Sequence, residues 1–171
     1  MAHTEGSLLV HLIFSTKGRQ PLIRPGIRDD LFAYMGGVIR EIKAAALIIN
    51  GTADHVHMLI RIRPAQSVAE VTRIVKANSS RWAHDKLKAY FAWQTGYAFF
   101  SVSESNVAAV SKYIANQEEH HRKHTFQEEL VAFLKKTGLR MTSGTFGSSF
   151  FRPYRGFPLC PQETHGLRRG L

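Results

Sequence analysis

AALIINGTADHVHMLIRIR, residues 45–63, holds the two segments whose reading decides the fold. Ala45 to Gly51 and His55 to Arg63 are short, apolar and rich in branched side chains, and the polar stretch Asn50-Gly51-Thr52-Ala53-Asp54 lies between them. The pair reads as a β-hairpin that Pro64 closes. Side chains of a strand alternate between its two faces, so Asp54, Val56, Met58, Ile60 and Ile62 form a nearly pure core face. His55, His57, Leu59, Arg61 and Arg63 point the other way. Two imidazoles at i and i+2 can offer two ligands to one divalent metal, while the core residues anchor the strand from behind. Arg61 and Arg63 continue that face as cations suited to a nucleic acid.

Outward from the hairpin, Leu8 to Thr16 reads as a first strand, and Ile27, Leu31, Tyr34, Met35, Val38 and Ile42 recur at helical spacing. Ser67-Val68-Ala69-Glu70 has the form of a capping box, which opens a helix running toward Tyr90 with a bend expected near Asn78-Ser79-Ser80. Tyr97 to Ser103 is a fourth strand, Asn106 to about His120 a third helix, and Thr125-Phe126-Gln127-Glu128 a second capping box for a helix that Gly138 ends. The order β-α-β-β-α-β-α-α predicts an antiparallel sheet with helices packed on it, an α+β sandwich. A domain over 1–140 is followed by a basic tail over 141–171, which carries Arg152, Arg155, Arg168 and Arg169 among its glycines.

The 171 residues suffice for one globular core, and 44% hydrophobic composition excludes intrinsic disorder as the general state. Lys and Arg number 23 against 13 Asp and Glu, a net charge of +10 that points to a polyanion, nucleic acid first and a membrane surface second. No stretch of 18 apolar residues is available to span a bilayer, and the N-terminus has no cleavage-type site, so a cytoplasmic protein is expected. The single cysteine, Cys160, excludes an intrachain disulfide and a cysteine-based zinc site.

In the third helix, Val107, Val110 and Ile114 mark the buried stripe, with Tyr113 and Gln117 together at its edge as i and i+4 neighbours. A glutamine oxygen can be a third metal ligand, and a phenol beside a metal becomes a nucleophile toward phosphorus. The second helix carries Arg73, Lys76 and Arg81 with Trp82 among them. Cations that track phosphates and a ring that stacks an unpaired base suit single-stranded nucleic acid; a solvated basic face with Trp82 in the core is the competing reading. His120, His121 and His124 read as cations complementing a helix C-terminus, His11 as a structural residue, and Trp93, Tyr97 and Phe99 as strand and core residues.

Four segments occur in a telling order: Asp54-His55-Val56-His57-Met58-Leu59, Lys76-Ala77-Asn78-Ser79-Ser80, Trp93-Gln94-Thr95-Gly96-Tyr97, and Tyr113-Ile114-Ala115-Asn116-Gln117 followed by Glu118-Glu119-His120-His121. Over about residues 8 to 135 this set resembles the single-tyrosine HUH transposases of bacterial insertion elements, including the REP-associated tyrosine transposases. The resemblance implies a ferredoxin- or RRM-like core, an antiparallel sheet of four to five strands sandwiched by helices. It implies His55, His57 and Gln117 as ligands of Mg²⁺ or Mn²⁺, and Tyr113 as the nucleophile that nicks and rejoins single-stranded DNA at hairpin ends through a 5′-phosphotyrosine. It also implies a homodimer whose tyrosine helix can complete the partner's site, working at the bacterial nucleoid. The alternatives are an HUH replication initiator or relaxase, which usually has a larger chain and three histidine ligands, and a non-catalytic RRM-like nucleic-acid-binding protein.

Overall fold

The computed structural model describes residues 6–122 and 125–136. Its strands are β1 (Leu8–Ser15), β2 (Ala45–Gly51), β3 (His55–Ile62) and β4 (Ala98–Val102). Its α-helices are α1 (Pro25–Glu41), α2 (Val68–Leu87), α3 (Val107–Ala115), α4 (Gln117–His121) and α5 (Phe126–Lys136). The strands form one sheet in the order β2-β3-β1-β4, with every neighbour antiparallel. This is the split βαββαβ arrangement expected from the alternation of elements, with four strands. The tail over 141–171, Gly138 and His124 lie outside the described residues.

Strand alternation gives the sheet two unlike faces. Val10, Leu12 and Phe14 of β1 and Val56, Met58, Ile60 and Ile62 of β3 pack under α1 and α2 together with Leu31, Met35, Ile39, Val71 and Val75. On the other face Ile13, Ala98 and Phe100 meet Phe126, Leu130 and Leu134 of α5, and α3 lies against β2 and β3. A βαββαβ sheet whose crossover helices both sit on one side leaves its other side bare; here the segment after β4 roofs it. The roof covers the face to which His55 and His57 belong, and both side chains are buried.

Local chemistry sets the ends of these elements. Thr125 and Glu128 make the full reciprocal capping box, since the Glu128 amide donates to Thr125 Oγ1 (3.3 Å) and the Thr125 amide to Glu128 Oε2 (2.8 Å). Ser67 accepts from the Glu70 amide at the start of α2. That helix runs unbroken through Asn78 and Ser79, whose side chains donate back to the carbonyls of Ile74 and Val75 within the helix.

The third helix departs further from its sequence reading. It stops at Ala115, and Asn116 (φ −98°, ψ 23°) separates it from α4. Asn116 donates its side-chain amide to the Lys112 carbonyl, while Asn50 of β2 donates to the carbonyls of Ile114 and Ala115, each 2.9 Å away. These bonds satisfy acceptors that a continuing helix would have used. Phe99, expected in the core, is 50% exposed because β4 is an edge strand beyond the reach of α1 and α2.

Candidate active site

The β2–β3 turn holds His55. Thr16 and Ile23 donate their amides to the carbonyls of Asp54 and Ala53, tying the turn to the segment after β1. His55 Nδ1 lies 2.7 Å from Asp54 Oδ1 and 2.9 Å from Thr52 Oγ1. Arg19 grips the other Asp54 oxygen through Nε (3.0 Å) and Nη2 (2.6 Å), and its guanidinium also lies over the Phe126 ring. To reach there Arg19 adopts a left-handed backbone, φ 56°, a strained choice for a residue with a side chain. Burial alone would raise the Asp54 carboxyl, but its hydrogen bond with His55 and the Arg19 charge hold it well below the usual carboxylate range.

His57, fully enclosed, places Nδ1 3.0 Å from Nε2 of His11 on β1. Burial drives both imidazoles toward the neutral form. His11 falls to about 4, and His57 drops well below its ordinary value, helped by the neighbouring histidines 55, 11, 121 and 120. The Nδ1 atoms of His55 and His57 are thus engaged behind the rings, while neither Nε2 has a hydrogen-bond partner among the described residues.

The roof completes the cluster. Ligand atoms of His55, His57, His121 and Glu129 lie within 4.8 Å of one another. Glu129 Oε2 stands 3.6 Å from His57 Nε2 and 3.2 Å from His121 Nε2. Gln117 is buried, donates Nε2 to Glu129 Oε1 at 3.2 Å, and leaves Oε1 without a hydrogen-bond partner among the described residues. Burial pushes the Glu129 carboxyl up to about 8 despite the Arg19 charge. Imidazole nitrogens aimed inward beside an amide oxygen and a buried carboxyl form a donor set that fits a divalent ion, and its mixed nitrogen and oxygen character suits Mn²⁺ better than the harder Mg²⁺.

Tyr113, from the last turn of α3, stands beside this cluster with its ring centroid 6.0 Å from that of His57 and 5.2 Å from that of His120. Its hydroxyl is buried and has no hydrogen-bond partner among the described residues. A cavity of about 380 Å³ opens next to it, lined by His11, Ser101, Asn106, Tyr113 and Phe133.

Sequence reasoning missed Glu129 and His121. Glu129 sits three residues after Phe126 and one before Leu130, on the apolar stripe of α5, where an unpaired carboxylate is costly unless it serves a cation. His121 lies four residues beyond Gln117, a spacing that shares a helical face. Both were legible as positions but not as partners, because nothing local to either reveals that its helix folds onto the sheet.

The remaining expected residues divide. Arg61, Arg63, Arg73 and Arg81 are exposed, with Arg61 pairing with Glu104 at 3.2 Å. Lys76, expected on a phosphate, instead directs its ammonium to the carbonyls of Gln94, Thr95 (3.1 Å) and Gly96 (3.2 Å), pinning the segment that leads into β4. Trp82, expected to stack a base, stacks on Tyr34 with centroids 5.3 Å apart and packs into the α1–α2 core. Both side chains are half-buried.

An antiparallel sheet carrying a histidine pair, roofed by helices that bring a tyrosine to it, is the scaffold of the HUH nucleic-acid enzymes. The sequence profile of IS200-like transposases matches residues 4–117, and the chain belongs to that family. It is similar to the ISDra2 transposase TnpA of Deinococcus radiodurans, 26% identical over 116 residues that cover 64% of this chain and 83% of that protein. It is also similar to the transposase for insertion sequence element IS200 of Salmonella typhimurium, 28% identical over 130 residues that cover 70% of this chain and 82% of that protein. Among solved structures, a REP-associated tyrosine transposase bound to a REP hairpin shares the fold with a TM-score of 0.54 at 11% identity, covering 92% of this chain and all of that one. A Deinococcus radiodurans protein assigned as a transposase does so with a TM-score of 0.55 at 23% identity, covering 68% of this chain and 98% of that one.

Proposed function

We propose that this transposase cuts and rejoins single-stranded DNA at hairpin ends by transesterification, with Tyr113 as nucleophile and a divalent ion, Mn²⁺ or Mg²⁺, held by His55 and His57 with Gln117 and the roof residues His121 and Glu129. The observation that carries this reading is the juxtaposition of a buried phenol with the inward-facing Nε2 atoms of His55 and His57 and Oε1 of Gln117, none of which has a hydrogen-bond partner among the described residues. The ion, when bound, polarises the scissile phosphate and offsets the charge that builds on it in the transition state. Tyr113 Oη attacks phosphorus, the bond to the 3′ oxygen breaks, and that oxygen leaves as a hydroxyl with a proton matching the one the phenol gives up. The 5′ phosphate stays esterified to Tyr113. A 3′-hydroxyl, the same one or another, then attacks the phosphotyrosine and returns the phenol, so strands are joined without ATP.

Exposed Arg61, Arg63, Arg73 and Arg81 supply phosphate contacts for DNA, and affinity on this reading is largely electrostatic. Homodimerisation rests on the family resemblance. On that reading the tyrosine helix of one copy can complete the partner's site. A bacterial cytoplasmic setting at the nucleoid accords with a DNA substrate. Among the described residues no helix is long and apolar enough to cross a membrane. The deciding experiment incubates the protein with labelled hairpin DNA from the flanks of its own gene and Mn²⁺. A covalent protein–DNA adduct with a free 3′-hydroxyl supports the reading; cleavage without an adduct points to hydrolysis by an activated water instead. Binding with no cleavage under any divalent ion favours the RRM-like binding module.

A further inference from the structure

His11 is not accounted for by ligation or by attack. It sits on β1, is 2% exposed, and is walled in by Phe100, Tyr113 and Phe133, with ring centroids 6.3, 6.2 and 5.4 Å away. A purely structural residue in such an apolar box would ordinarily be a hydrocarbon. A histidine there needs a polar partner, and among the described residues His57 Nδ1 at 3.0 Å is the one it has.

A hydrogen bond between two imidazole nitrogens needs a proton on one and a lone pair on the other. Two arrangements satisfy that. If His11 donates, His57 Nδ1 is the acceptor and the His57 proton sits on Nε2, directed at the ligand cluster, where Glu129 Oε2 at 3.6 Å lies beyond hydrogen-bond distance. If His57 donates, its Nε2 presents a lone pair to the cluster, and every atom involved has a use. His55 follows the same pattern, with its Nδ1 against Asp54 and Thr52 and its Nε2 turned inward.

We propose that His11 is a positioning residue for metal binding: it accepts a hydrogen bond from His57 Nδ1–H, which fixes the tautomer of His57 and aims its Nε2 at the ion. The inference rests on the metal-centre reading above and adds to it a residue outside the ligand set. Ligand histidines held from behind in this way lose affinity for the metal when the outer partner is removed.

The test uses the full-length protein, Mn²⁺ as probe, and two variants. His11→Leu keeps the volume and removes the acceptor, while His11→Gln keeps an oxygen able to accept from His57. Calorimetric titration is expected to show His11→Leu binding Mn²⁺ about 10–100-fold more weakly than wild type, and His11→Gln recovering most of the loss. Circular dichroism checks that each variant is folded. In parallel, ¹⁵N–¹H correlation spectra of the wild-type rings are expected to show His57 protonated on Nδ1, a measurement that decides the matter even if His11→Leu does not fold. Equal Mn²⁺ affinity in folded His11→Leu, or a His57 proton found on Nε2, overturns the inference and leaves the metal centre standing. A wild-type protein that takes up no Mn²⁺ overturns the metal centre itself, and the inference with it.

Discussion

Gly51 approaches His55 so closely that a Cβ on the glycine would stand 2.2 Å from the His55 carbonyl oxygen and 2.8 Å from the Val56 Cα. Both contacts are backbone, so neither can swing aside. Gly51→Ala must therefore open the β2–β3 turn, and with it the placement of the His55 ring. Overpacking of this kind costs about 1–3 kcal/mol. A melting temperature lowered by several degrees, together with weakened Mn²⁺ binding by calorimetry, is the expected result.

Tyr113→Phe removes a buried hydroxyl that has no hydrogen-bond partner among the described residues and keeps the ring that packs against His57, His120 and Phe133. Deleting such a group is neutral or stabilising, by up to about 1 kcal/mol. Thermal melts of this variant should match or exceed wild type, and hairpin DNA should still bind, but denaturing gels should show no protein–DNA adduct. A marked loss of stability would mean that the hydroxyl has a partner in solution.

Mn²⁺ should raise the melting temperature of the wild-type protein, since an ion that binds only the folded chain stabilises it by about 2.7 kcal/mol at a hundred times its dissociation constant. Glu129→Ala should abolish most of that increment and also lower the stability of the metal-free protein by about 1–3 kcal/mol, because it leaves the buried Gln117 Nε2 without its acceptor. Differential scanning calorimetry with and without Mn²⁺ separates the two effects. Mg²⁺ should give the smaller shift at equal concentration.

Arg73 and Lys76 lie one helical turn apart on α2 and should behave oppositely. Arg73→Ala removes an exposed cation and is expected to weaken DNA binding, lowering the slope of log affinity against log salt by about 1, with an unchanged melt. Lys76→Met releases the carbonyls of Gln94, Thr95 and Gly96. It should lower stability and leave the salt slope alone, as fluorescence anisotropy over a salt series would reveal.

The contrast between those two residues marks what the sequence discloses. Strand alternation placed the two histidines on one face, because the period of two is rigid and the opposite face is cleanly apolar. Helical spacing grouped Tyr113 with Gln117, and although Asn116 breaks the helix between them, Tyr113 meets His57 and Gln117 meets Glu129. What stayed hidden depends on tertiary packing. The capping box predicted α5, but where it docks, and so Glu129's company, follows from Phe126, Leu130 and Leu134 meeting Ile13, Ala98 and Phe100. Lys76 and Trp82 look like surface chemistry in a string of letters and are claimed by neighbours far along the chain.

Both outer strands of the sheet are poor templates for further strands. Strand β4 offers only five residues, and β2 shifts register between Ala46 and Ile48, so the pairing slips by a residue at Leu47, an irregularity of the kind that blunts a sheet edge. A basic, single-cysteine protein with a flat open edge would be prone to stack into aggregates when concentrated on DNA, where many copies gather on one polyanion. This irregularity works against such stacking.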